Sequence, residues 1–316
     1  MREKLLNLFS VFKESGKLLA ANDPLRMAGA TAFFTTFALP PMLMIIVRAL
    51  GLFFDRRAVG RQILGKVGNV LGNDGREQIL SVIKAVRSFH LQPFATVLVF
   101  IFLLFVATTL FMVIKDSVNQ LWRIRVNKKR HILSILLSRL KAIGFILFTG
   151  VLFLAVMAIE LVQAYFGPYL SELSPRLGMY AHGLLNPVVA LVVVSTWFFV
   201  LLRFLPDGRP KLRSSVVGAI VAGVLFSVGK YILSWGLSGN IKEIYGGSGS
   251  LVLILLFVFY TALILYYGAA FTRVWAEHYS GGIIPLPHAS GFHITKNDLP
   301  VQHDKMPDTP VYSQSV

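Results

Sequence analysis

The sequence predicts an all-α polytopic membrane protein with six transmembrane helices in one bundle, and three observations lead there. Six apolar runs, at 27–54, 93–114, 142–166, 187–204, 215–237 and 250–272, each come close to the ~20 residues that a helix needs to cross the ~30 Å hydrocarbon core of a bilayer. Hydrophobic residues make up 55% of the 316-residue chain and charged residues only 15%, with mean hydropathy +0.67; a soluble domain carries about a quarter charged residues. The runs also lack the ~10-residue alternation of barrel strands, so helices are what remains to satisfy their backbone amides away from water.

The net charge of +16 would point to nucleic acid in a soluble protein, but its placement along this chain reports topology instead. With the N-terminus in the cytoplasm, the inner segments hold five Lys and Arg before the first span, seven between the second and third besides Lys115 at the span edge, four between the fourth and fifth counting Arg203 at the end of the fourth, and three after the sixth. The outer loops hold seven, one and one. The positive-inside rule therefore favours both termini inside, on the cytoplasmic side, and the charge needs no nucleic-acid partner to explain it. Three parts follow: an amphipathic N-terminal segment at 1–26, a transmembrane domain at 27–277, and a disordered cytoplasmic tail at 278–316, rich in Pro, Gly and Ser. There are no cysteines, so disulfides and thiol chemistry are excluded. No cleavable signal is expected, because the apolar stretch 5–12 is short and runs into Lys13 and Glu14.

In the N-terminal segment Leu5, Phe9 and Phe12 share one helical face, as in a helix resting among inner-leaflet headgroups. Asn22-Asp23-Pro24 offers a turn and cap before the first span, within which Pro40 and Pro41 remove two backbone donors and are expected to kink or break the helix as a hinge. The first outer loop carries two amphipathic pieces, with Val59, Ile63, Val67 and Val70 in one and Ile79, Val82, Ile83, Val86 and Phe89 in the other. A Gly-Asn-Asp-Gly turn at 72–75 would fold them into a helical hairpin on the outer surface. The loop 115–141 is strongly basic and would sit against anionic lipid. In the fifth span Gly218 with Ala222, and Ala219 with Gly223, are small-xxx-small pairs that allow close helix approach.

Several stretches resemble the YihY/BrkB family of bacterial inner-membrane proteins. They are the opening span with Ala30-Thr31-Ala32-Phe33-Phe34 and Pro40-Pro41, the segment Ser117-Val118-Asn119-Gln120-Leu121-Trp122-Arg123, the motif Arg203-Phe204-Leu205-Pro206, and the run from Gly218-Ala219 through Lys230 to the glycine turn at 246–249. The similarity covers about 26–277 and implies a six-helix bundle in the cytoplasmic membrane. The chain departs from the family pattern in the last span, reading Phe257-Val258-Phe259-Tyr260 and Gly268-Ala269-Ala270 where relatives carry a tryptophan and a Gly-Ala-Glu.

The family has also carried a ribonuclease label, but a nuclease needs carboxylates or histidines gathered round a metal. The seven histidines here fit no zinc spacing, and the 246–249 glycine run lacks the Lys-Ser/Thr of a phosphate loop. No enzyme activity and no cofactor or metal are expected. The informative signal is charge inside the spans. Arg48, Glu160 and Lys230 each lie six or seven residues from an outer span end, ~9 to 11 Å below the boundary at 1.5 Å per residue. Such residues face the bundle interior, pair, or reach for the surface. They form the candidate binding site for an anionic group such as a lipid phosphate. Lys115 and Asp116, with Arg203, are the candidate inner gate or anchor. The expected function is transport or lipid handling of an anionic or amphipathic solute; the alternative is a non-transporting scaffold, and a ribonuclease ranks last.

Overall fold

The computed structural model describes residues 2–50, 93–126, 185–237 and 249–292, with a few single positions between them. They form six helices: α1 (Arg2–Ala20), α2 (Pro24–Leu50), α3 (Pro93–Leu121), α4 (Leu185–Phe204), α5 (Leu212–Leu237) and α6 (Gly249–Tyr279). Among the described residues, Pro187–Phe204, Leu212–Ile232 and Val252–Tyr279 are stretches long and apolar enough to cross a membrane. Their outward faces are apolar as well. On α5 the i, i+4 series Val216, Ile220, Val224, Val228 is exposed, a pattern that water penalises and hydrocarbon does not.

Two helix pairs, α2 with α3 and α4 with α5, meet on α6, which packs against α2 on one face and α5 on another. The core between them holds Met27, Ala28, Leu121, Phe198, Leu202, Ala222, Tyr266 and Ala269. A smaller cluster joins α1 to α6 through Val11, Phe271 and Val274, with Phe12 and Phe271 rings 4.9 Å apart and the Tyr267 hydroxyl donating to the Phe12 carbonyl at 3.1 Å. The face that α1 buries is therefore Leu8, Val11, Phe12 and Ser15, while Phe9 is 71% exposed.

Helix ends follow local chemistry. Asp23 adopts a left-handed φ of 52° between α1 and α2, a conformation Asp tolerates, and Pro24 begins α2 where its missing N–H costs nothing. Asn22 donates to the Leu18 carbonyl at 2.7 Å. Arg123, at φ 53°, ends α3. Of the two outcomes expected at Pro40 and Pro41, a kink or a break, the break is not seen: α2 runs through the pair as one helix.

A second correction concerns the segment after α6. The stretch from Gly281 onward was expected to be disordered, yet it contributes two short strands. Of the four strands, β1 (Ile124–Val126), β2 (Gly208–Arg209), β3 (Ile284–Pro285) and β4 (Ala289–Gly291), β1 pairs antiparallel with β4 and β2 with β3. Gly and Pro lower intrinsic propensity, but pairing partners elsewhere in the chain supply the hydrogen bonds that the local sequence cannot. Residues 293–316, the outer hairpin with its 72–75 turn, the third span and the glycine turn up to 248 lie outside the described residues.

Candidate functional site

The two strand pairs place the ends of α3, α4 and α6 and the start of α5 together at one end of the bundle, and the charged chemistry gathers there around Asp207. Asp207 lies in the α4–α5 connection between two fully buried prolines, Pro206 and Pro210, and its side chain is 1% exposed. Two segments converge on it. From α3, Lys115 and Asn119 share a face at the i, i+4 spacing. Lys115 Nζ lies 2.8 Å from Asp207 Oδ1, and Asn119 Nδ2 donates to Oδ2 at 2.9 Å. Asn119 Oδ1 in turn accepts from the Asp207 backbone N–H at 2.9 Å. From the turn between β3 and β4, His288 Nε2 lies 2.9 Å from Oδ1, and because a carboxylate only accepts, that nitrogen carries the proton. The Asp207 carbonyl accepts from Leu286 N–H at 2.9 Å.

Burial by itself would raise the Asp207 carboxyl. The hydrogen bonds from Lys115 and His288, the Lys115 charge and the Asn119 amide outweigh it and hold the group below the usual carboxylate range. The arrangement is a saturated buried carboxylate, costly to strip of partners.

Gly208 explains how the backbone comes so close. A Cβ there would run into the side chain of Ile124, and would lie 2.9 Å from Ile283 Cγ2 and 3.0 Å from Trp122 Cε3. Beside this site two further contacts fix the end of α3 on α6: the Trp122 indole donates to the Ala269 carbonyl at 2.9 Å, and Arg273 Nη1 donates to the Leu121 carbonyl at 2.7 Å. Arg273 also pairs with Glu277 at 2.7 Å. One turn deeper, the buried Tyr266 hydroxyl meets Thr31 Oγ1 at 2.5 Å. Thr31 gives its own proton to the Met27 carbonyl, so Tyr266 donates.

The residues singled out from sequence fare differently. Lys115 is at the centre of the cluster. Asp116 is exposed. Arg203 is half-buried and donates to the Pro210 carbonyl, closing the α4–α5 connection on itself, while Arg209 lies over the Phe204 ring at 5.7 Å. Lys230 sits 5.8 Å from the Tyr231 ring centroid. The side chains of Arg48, Pro40 and Pro41, and all of Glu160, fall outside the described residues. Gly218 abuts Thr272 of α6, Ala222 lies 2.9 Å from where a Gly268 Cβ would be, and Gly223 abuts Ser195 of α4. The two small pairs thus serve two neighbours.

Asp207, Asn119 and His288 were not among the sequence candidates. A signal existed: Asn119 belongs to the Ser117–Arg123 stretch and Asp207 directly follows Arg203-Phe204-Leu205-Pro206. Two motifs quoted separately are one contact in space. Among the described residues no three His, Cys, Asp or Glu side chains gather as a metal site.

Known proteins resemble the chain throughout this region. It is 26% identical over 271 residues to a UPF0761 membrane protein of Alkalilimnicola ehrlichii, covering 80% of this chain and 55% of that one. It is 24% identical over 278 residues to a UPF0761 membrane protein of Azotobacter vinelandii, covering 85% and 64%. A third, from Idiomarina loihiensis, is 28% identical over 182 residues, covering 56% and 60%. The chain thus spans little more than half to two thirds of the length of these relatives. No solved structure matches it. The apolar helices, the named relatives and a match over residues 19–290 to the family described as Virulence factor BrkB lead to one conclusion: the chain is an integral membrane protein and belongs to that family.

Proposed function

We propose that the protein crosses the bacterial cytoplasmic membrane six times with both termini inside, and binds or moves an anionic or amphipathic solute. The polar end at Asp207 closes its inner face. The observation that carries this reading is the Lys115–Asp207–Asn119 contact, which joins the α2–α3 pair to the α4–α5 pair. Buried ion pairs are not cheap stabilisers, and an apolar contact would hold the helices as well. One placed where two helix pairs meet suits a gate with two arrangements. An apolar groove of about 460 Å³ between α4 and α5, lined by Val192, Phe199, Val216 and Ile220 among others, supports the amphipathic part of the description. The anionic part rests on Arg48 and Lys230, with Glu160 paired to one of them on the outer side, and the outer hairpin would shield that entrance.

Reconstitution into proteoliposomes tests it, by following flux of a fluorescent anionic amphiphile and of a labelled phospholipid. Protein-dependent flux is expected, with Arg48→Ala and Lys230→Ala each lowering it about tenfold, the effect of one lost charge-assisted hydrogen bond. Flux equal to empty vesicles, or unaltered in both variants, overturns the reading. A scaffold is the second reading, favoured by the filled core in which Tyr266, Phe198 and Phe271 are fully buried.

A further inference from the structure

We infer that residues 283–292, the segment containing β3 and β4, are a hinged strap that opens and closes across the polar end without unfolding the helices. The inference does not depend on transport. Four features carry it.

The first is what the strap joins. It leaves α6, pairs with β2 in the α4–α5 connection, then pairs with β1 just beyond α3. It therefore ties one helix pair to the other. The second is the hinge. Gly281 and Gly282 have φ of 74° and 88°, both in the left-handed region that glycine adopts freely, and open space surrounds them. The Ser280 and Gly282 N–H groups both donate to the Ala276 carbonyl, so motion of the chain beyond the Gly282 amide leaves the end of α6 closed.

The third is weak burial. The strap's strands are two and three residues long; Ile284 is 63% exposed and the His288 side chain 54%, while Ile283 and Ala289 are only partly buried against the core. Elements with little buried apolar surface open at a fraction of the global cost. The fourth is charge balance. His288 is the strap's charged-group contact with Asp207, and both it and Lys115 reach Oδ1. When the strap leaves, Asp207 keeps Lys115 and Asn119, so opening strands no unpaired charge in the interior. A strap anchored on an otherwise unpaired carboxylate would be locked; this one is reversible because its anchor has a resident counter-ion.

Hydrogen exchange on the full chain in detergent micelles tests the inference through the N–H groups of Leu286 and Phe292, which donate across the strap's edge to the Asp207 and Arg123 carbonyls. These amides should exchange faster than those of α5 and α6. His288→Ala should speed them about tenfold, as for one hydrogen bond to a charged group, with helix amides unchanged. Val126 and Ala289 are register partners, and the chain has no cysteine, so an oxidised V126C/A289C pair should restore protection in the His288→Ala background. Strap amides as slow as those of α6, rates unmoved by His288→Ala, α6 amides rising in step, or no recovery on oxidation would each overturn it.

Discussion

The polar end and the seam between α4, α5 and α6 are built on opposite principles within one small bundle. At the polar end, four side chains from three segments hold together by charge and hydrogen bonds around one carboxylate, Asp207. In the seam, contact depends on what is missing. Gly218, Gly223, Gly229 and Gly268 let helices approach until Thr272, Ser195, Tyr260 and Ala222 occupy the space a side chain would fill. Tyr260 then donates to the Leu225 carbonyl at 2.7 Å. Helices surrounded by hydrocarbon gain little from burying more hydrocarbon, so close shape complementarity holds them. Where chain segments leave the apolar runs, directional polar contacts take over.

That contrast can be broken by mutation. The largest loss is expected for Asp207→Ala, which leaves Lys115 without its counter-ion at a site where removing one partner of a buried pair costs about 3–5 kcal/mol. Unfolding in mild detergent followed by circular dichroism measures it, and a cost below 1 kcal/mol would show that the polar end contributes little. Gly229→Ala in the seam comes next, at about 1–3 kcal/mol of overpacking, because a Cβ there collides with the Tyr260 ring and hydroxyl. The same titration with Tyr260→Leu added should recover part of the loss; no recovery would mean that the strain lies elsewhere.

The smallest effect sharpens the contrast through pH. Asp207 titrates below its ordinary value of 3.8 in the folded protein. The stability it contributes is therefore fully present above about pH 4–5 and is lost as pH falls through the lowered value. Wild type should lose stability over that range and Asp207→Asn should lose less, whereas Gly229→Ala should follow wild type. Parallel curves for wild type and Asp207→Asn would remove Asp207 from the acid response.

Much of the helix framework was legible. Runs at 93–114, 187–204, 215–237 and 250–272 became α3, α4, α5 and α6, because an apolar run long enough for a bilayer is a local property. Their polar ends were read short. Helix α3 continues to Leu121 and α6 to Tyr279, since Asn119, Trp122 and Arg273 are held by partners across the bundle, and hydropathy registers only where hydrocarbon ends. For the same reason Lys115 stood out as a charge at a span end while Asp207, just outside a span and beside a proline, looked like an ordinary loop residue.

Sequence alone determined that this is a helical membrane protein, where its apolar segments lie, that it has no thiol chemistry, and which stretches carry the family's pattern. Only tertiary structure decided that Asn119 and His288 meet Asp207, that the two small-residue pairs of α5 serve different neighbours, and that the glycine-rich segment after α6 is paired rather than loose. The physical reason is range. Transfer from water to hydrocarbon is summed along neighbouring residues, so a single strand of sequence records it. A buried carboxylate's partners, here 88, 92 and 81 positions away along the chain, are chosen by geometry that exists only once the helices have packed.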